Sequence, residues 1–409
     1  MGSRMQAFIA NLGWASLGSF GSAGFLFLTN MFAGRWLGPS EYGKYSMVIY
    51  LGNFLTVPMI VGLNTSVVKH LAATQKPSSQ NKIIANTLLT VSLFTIATIL
   101  ILTLNHSLTN KFFNITNPLL TAGTIYSILL VYKLINEAIL KGKFLFKSLA
   151  GLDLISSIVI FFTLFAQVFF VSTPNFQIYA KSTIIGLIVY TLLASTITLK
   201  SLSFKKICLP TISTLLSYSK YAVLGSLSGL LIGNVDKIVL NHYLGFGQVG
   251  LYSVYLNAST TFSSIFFPLF LNVYFPSISR LNQKTHLINK LKTIFFKSFF
   301  PLFILNYLII LLSLFILGNQ YEINLGYTTL FSLQNVILIF ANILWWSINS
   351  FGTEGIRYTS LIGLIIGGLN ILLTVSLVRH LGVSGIIIAS TITYSTMVLI
   401  AVQKLQHLK

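Results

Sequence analysis

Charge is what this sequence has least of. Lys, Arg, Asp and Glu make up 8% of its 409 residues, against about a quarter in soluble domains, while apolar types make up 55%. So little polar surface cannot clothe a water-soluble globule of this size, which excludes an ordinary cytosolic enzyme. Acids are scarcer still, limited to Glu41, Glu137, Asp153, Asp236, Glu322 and Glu354. There are no paired carboxylates for glycosyl chemistry and no Asp cluster for metal-assisted phosphoryl transfer, so a membrane glycan polymerase or sugar-phosphate transferase is disfavoured. Cys208 is the single cysteine, which excludes an intrachain disulfide and a cysteine metal cluster. The histidines have no partner three or four residues away, and no Walker-type Gly-x4-Gly-Lys-Ser/Thr occurs. Neither a cofactor, a resident metal, nucleotide hydrolysis nor a nucleic-acid partner is expected.

What is present is a series of long apolar runs. Hydropathy predicts about twelve spans, at 8–33, 43–66, 83–104, 119–139, 149–171, 178–199, 213–240, 250–275, 293–317, 325–349, 357–378 and 383–403. They are continuous rather than alternating and about 20 residues long, which is the length of a bilayer-crossing helix. The first is read as a spanning helix rather than a removed signal, since no small-residue cleavage site follows it. The connections are too short for a folded extramembrane domain, so function has to reside among the helices. With the N-terminus inside, only Arg35, Lys44, Lys111 and Arg379 flank the spans on the outer face. The other flanking cations, Arg4, Arg357 and those in the stretches from Lys69 to Lys82, Lys141 to Lys147, Lys200 to Lys206, Arg280 to Lys292 and Lys404 to Lys409, fall inside. This asymmetry predicts that both termini are cytoplasmic.

The chain also repeats itself. Leu17-Gly18-Ser19 returns 207 positions later as Leu224-Gly225-Ser226, and Leu37-Gly38-x4-Gly43-x-Tyr45-Ser46 returns as Leu244-Gly245-x4-Gly250-x-Tyr252-Ser253. Two six-helix lobes follow, residues 1–204 and 205–409, divided in the polar stretch before the second copy. Because both copies begin on the same side of the membrane, they read as a parallel repeat about an axis along the membrane normal. Gly225, Gly229 and Gly233 form a small-residue stripe suited to close helix approach, matched by Gly18 and Ser22 in the first helix. Pro58 and Pro268 interrupt the second and eighth helices, where a missing backbone bond permits a kink.

The block Leu37-Gly-Pro-Ser-Glu-Tyr-Gly-Lys-Tyr-Ser46 resembles the corresponding loop of polysaccharide biosynthesis proteins of the oligosaccharide-flippase type. So do Asn234-Val-Asp236-Lys-Ile-Val-Leu-Asn-His-Tyr-Leu-Gly, Phe275-Pro-Ser-Ile-Ser-Arg280, Glu137-Ala-x2-Lys-Gly142-x-Phe and Leu381-Gly-Val-Ser-Gly385. These are the Wzx-like flippases of the multidrug/oligosaccharidyl-lipid/polysaccharide (MOP) exporter superfamily. The resemblance implies an all-α membrane protein of MATE-like fold in the bacterial inner membrane. It implies a carrier of isoprenoid (undecaprenyl) diphosphate-linked oligosaccharide from the cytoplasmic to the outer leaflet, serving O-antigen or other surface polysaccharide. Membrane lipids and a glycan polymerase or chain-length complex are the implied partners. A MATE-like small-molecule exporter is the nearest alternative, although the first three spans offer no carboxylate to a cationic drug. The peptidoglycan-precursor flippase carries two further helices, for which this chain has no room.

Five lysines stand within spans: Lys133, Lys181, Lys220, Lys237 and Lys297. Lys181, Lys237 and Lys297 lie near span ends, within snorkelling reach of the interface. Lys220 and Lys133 lie about two turns deep and are the candidates to meet the substrate diphosphate. For Lys133 the alternative is self-neutralisation by Glu137, four residues on. Asp236, the most embedded acid, and Glu137 are the candidates for ion coupling, to a proton or a sodium ion. For Asp236 the alternative is a structural pairing with Lys237.

Overall fold

A computed structural model describes residues 3–74, 76–170, 173–199, 207–279 and 285–407, with side chains outside 3–12, 14–17, 19, 221, 262, 265–279, 285–290 and 407. The described residues form helices joined by short turns and contain no strand. The helices are α1 (Ser3–Ile60), α2 (Leu63–Ala72), α3 (Pro77–Leu104), α4 (His106–Phe113), α5 (Asn117–Gly142), α6 (Phe146–Phe170), α7 (Phe176–Thr198), α8 (Leu209–Gly233), α9 (Val235–Ser279), α10 (Thr285–Leu317), α11 (Leu325–Asn349) and α12 (Thr353–His407). Eight are long and apolar enough to cross a membrane, or nine when a bent pair is taken as one span.

Three of these helices hold more than one expected span, interrupted at a glycine. The break in α1 is at Gly38, in α9 at Gly245 and in α12 at Gly382. Gly38 (φ 73, ψ 173) and Gly245 (φ 77, ψ 179) share nearly one backbone conformation, a region that a Cβ disfavours. They are equivalent positions of the sequence repeat, so the two copies share a turn as well as a spelling. Beyond each turn the copies meet reciprocally. A Cβ at Gly43 would strike the Phe246 carbonyl oxygen, and one at Gly250 would strike the carbonyl oxygen of Pro39. Residue i touching j′ while i′ touches j is the signature of a two-fold relation between copies.

The expected continuous helix over 213–240 is instead broken at Asn234, which ends α8 and lets α9 begin at Val235. A short helix, α4, follows α3 where only a loop is expected. The kink expected at Pro58 falls three residues later, where Val61 (φ 44) and Gly62 (φ 66) take left-handed conformations and α2 leaves α1 at 55°. Pro58 itself is exposed. Pro268 lies outside the described side chains.

The helices fall into two compact units, residues 1–29 with 44–226, and residues 30–43 with 227–409. These boundaries differ from those of the sequence halves, because part of α1 belongs to the second unit and most of α8 to the first. In the first unit a core of Leu140, Leu149, Leu152, Tyr190 and Ala194 joins α5, α6 and α7. In the second, α11 and α12 pack through Leu344, Ile348, Ala401 and Leu405, and through Ala341, Ile366, Tyr394 and Met397. Gly18 approaches Ala150 closely, and the Ser22 and Ser157 hydroxyls lie 2.6 Å apart, so the first helix packs tightly on α6. The equivalent stripe on α8 does not do so at Gly229 or Gly233, where a Cβ would meet nothing within 4 Å. The close approach is made from the partner helix, whose Gly363 and Gly367 receive Ser228 and Leu231. Inside the spans many hydroxyls donate to the carbonyl four residues back, as Thr56 does to Gly52, Thr90 to Asn86, Thr183 to Tyr179, Ser332 to Thr328 and Thr393 to Ala389.

Candidate functional site

Among the described residues, two clusters of charged side chains lie within the spans, one in each unit. In the first unit, Lys133 and Glu137 occupy neighbouring turns of α5, with Nζ 3.4 Å from Oε1. Asp153 of α6 brings Oδ1 within 3.4 Å of the same ammonium, and Lys141 holds the other Glu137 oxygen at 3.1 Å. The local chain makes this meeting possible. α5 and α6 are joined by a tight turn in which Phe144 has φ 59 and the Leu145 N–H donates to the Leu140 carbonyl, so the two helices run back to back. Tyr190 of α7 places its ring 5.1 Å from the Lys133 ammonium. Its hydroxyl is fully buried and has no hydrogen-bond partner. Two lysines and two carboxylates thus balance one another on the face that α5 presents to α6.

In the second unit the charges secure the helix break. The Asp236 carboxylate stands in the first turn of α9, where the positive end of the helix dipole favours it. Oδ1 accepts the Lys237 backbone N–H at 3.0 Å and the Lys237 ammonium at 2.9 Å, while Oδ2 accepts the Tyr252 hydroxyl at 2.7 Å. The same ammonium donates to the carbonyl of Gly233, one of the acceptors that the end of α8 leaves without an intrahelical partner. Asp236 and Lys237 are both 3% exposed, with the Tyr252 ring packed against Phe331. The pair therefore satisfies two helix ends at once. Lys237, expected at the interface, is buried instead, because the break at Asn234 turns it back toward the end of α8.

Lys220 lies on the exposed side of α8, in the first unit. Lys181 and Lys297 are exposed as well. The structure brings Lys133 together with Glu137, and Asp236 with Lys237, while Lys220 and Lys133 stand on different helices, α8 and α5. Sequence reasoning missed Asp153 and Tyr190 as members of the first cluster. A signal for Asp153 was present, since Glu137 and Asp153 each stand eight residues from Leu145 in the turn. For Tyr190 there was none.

Residues 8–282 match the family of polysaccharide biosynthesis proteins. Among solved structures, the lipid II flippase MurJ in an inward closed conformation is 18% identical, covers 95% of this chain and 87% of its own, and superposes with a TM-score of 0.70. An inward-facing multidrug resistance MATE transporter of the MOP superfamily is 12% identical over 95% of this chain and 96% of its own, with a TM-score of 0.65. A MOP superfamily transporter from Pyrococcus furiosus is 13% identical over 99% of this chain and 96% of its own, with a TM-score of 0.62. At such identities these likenesses establish the fold, which is that of the MOP superfamily. Among curated proteins none matches the sequence.

Proposed function

Because the chain belongs to the polysaccharide biosynthesis protein family, we propose that it is a flippase, not an enzyme, that moves an isoprenoid diphosphate-linked oligosaccharide from the cytoplasmic to the outer leaflet of the plasma membrane. The family match over residues 8–282 is the observation that carries this reading. The diphosphate and sugars cannot enter hydrocarbon unaided, since an ion buried without partners costs many kcal/mol. The protein has to offer the head a polar, cationic route while the tail remains in the bilayer, and alternating access driven by an ion gradient supplies that route without ATP.

Lys220 is the proposed first contact for the diphosphate. Lys133 is neutralised by Glu137 and Asp153, and Lys237 by Asp236. Lys220 is exposed on α8, within an expected span, where an ammonium suits a phosphate oxygen. Lys220→Ala is expected to lower surface glycan about tenfold or more at unchanged membrane abundance, the loss of one charge-assisted phosphate contact. The measurement is surface glycan scored against membrane abundance of the variant. Normal glycan at normal abundance removes Lys220 from the route. A deletion strain that does not accumulate inward-facing lipid-linked oligosaccharide removes the flippase reading itself.

A further inference from the structure

Three turns of this chain share one spelling. Arg35-Trp-Leu-Gly38, His242-Tyr-Leu-Gly245 and Arg379-His-Leu-Gly382 each carry a basic residue, a ring and a leucine before the glycine, whose φ is 73, 77 and 57° respectively. All three turns belong to the second unit and to the outer face predicted from charge. In the first, Arg35 Nη1 donates to the Ile316 carbonyl at 3.2 Å, near the end of α10. The other two meet each other. A Cβ at Gly382 would stand 3.7 Å from Leu244 Cδ1, and the Tyr243 hydroxyl accepts Arg379 Nε at 3.2 Å and Nη2 at 2.8 Å. The His242 ring meets the Tyr243 ring edge-on at 5.3 Å.

This pairing leaves donors over. A guanidinium has five N–H groups, of which the Tyr243 hydroxyl takes two, and because that hydroxyl accepts both, its own proton points elsewhere. No ion pair among the described residues includes Arg379. The acids of α9 and α12 are out of reach. Asp236 is buried against Lys237 and Tyr252, and Glu354 stands in the first turn of α12, about 37 Å from Arg379 by the helical rise. The surroundings below are apolar. Leu361, Ile365 and Leu372 are exposed at spacings that keep them on one face of α12, and Arg379 continues that face two turns beyond Leu372. Leu244 and Leu381, also exposed, flank the guanidinium in the two turns.

We propose that Arg379 and Tyr243 hold the headgroup phosphate of an anionic bilayer phospholipid, whose acyl chains lie along the exposed face of α12. A phosphate oxygen can take a guanidinium N–H and the phenol proton together, and the fixed fork of Arg suits that geometry. His242 and His380, both exposed beside the pair, bring no opposing charge. A lipid fits better than a free anion because the cation crowns an apolar stripe that meets hydrocarbon. Tyr243 positions the guanidinium, and the interlocked turns hold Tyr243 in place. The site is independent of Lys220 and of the flippase reading, and its test does not read transport.

The purified full chain, in detergent with equal amounts of phosphatidylglycerol and phosphatidylcholine, can be read by native mass spectrometry for the lipid it retains. Phosphatidylglycerol should be preferred, because choline brings a second cation to a site that already holds Arg379. Arg379→Gln should reduce the preference about tenfold, the loss of a charge-assisted bond. Tyr243→Phe keeps the ring and should reduce it about threefold, so the test survives if one variant fails to fold. Arg35→Gln removes a cation from the same predicted face and should leave the preference unchanged. Equal retention of the two lipids by the unaltered protein overturns the proposal, and so does a preference that persists in both Arg379→Gln and Tyr243→Phe. A loss in Arg35→Gln as large as in Arg379→Gln overturns it too, reducing the effect to net charge. Displacement of the lipid by inorganic phosphate at matched ionic strength would assign the site to the free ion instead.

Discussion

Lys237→Met should deplete the protein from the membrane, at a cost of about 3 to 5 kcal/mol, because it leaves the Asp236 carboxylate buried without its counter-charge. The same change withdraws the ammonium from the Gly233 carbonyl, so the end of α8 loses an acceptor's partner at the same moment. The double variant Asp236→Leu/Lys237→Met should regain most of the lost abundance, since replacing both members of a buried pair with apolar groups is often close to neutral. Abundance in isolated membranes and thermal unfolding in detergent measure both steps. A single variant as abundant as wild type would mean that the pair does not hold the α8–α9 junction. The double variant also separates two roles of Asp236. If the carboxylate exchanges a proton or a sodium ion during transport, abundance returns but the response to collapsed gradients does not.

The second large effect is expected at the crossing of the two repeat copies. Gly43→Val and Gly250→Val should each destabilise the protein by about 3 kcal/mol or more, beyond ordinary overpacking, because the obstacle to the new side chain is a backbone carbonyl that cannot rotate away. Their losses should also be similar, since Gly43 faces Phe246 as Gly250 faces Pro39. Gly247→Val and Gly229→Val are the controls. Nothing lies within 4 Å of a Cβ at either, and both should lose far less in the same unfolding assay. A large difference between Gly43→Val and Gly250→Val would mean that the reciprocity does not extend to the energetics of the crossing.

The fold was legible in the sequence wherever a signal was local. The apolar runs located the helices, and the repeat located Gly38 and Gly245, where glycine alone accommodates the turn comfortably. The Lys133–Glu137 pair follows from a spacing of four within one helix. What escaped depends on contact between elements. Asp153 joins that pair only because a tight turn folds α6 back along α5, and Tyr190 arrives from a third helix. The break at Asn234 was invisible to hydropathy, since Leu230, Ile232, Val235 and Ile238 continue the apolar run across it. The stripe at Gly229 and Gly233 was read as a contact surface when the glycines that admit a neighbour are on α12. Small residues permit approach, but they do not say from which side it comes.

On the proposed function, the backbone bonds made by serine and threonine inside the spans bear on how a sugar is recognised. A hydroxyl has one proton to give, and Thr56, Thr90, Thr183 and Ser332 each give it to their own helix. Such positions can offer a carbohydrate only lone pairs. On the proposed function, these positions give a glycan no proton, and that part of its recognition falls to other side chains. Exchanging helix threonines between related carriers would leave that part of the preference unchanged.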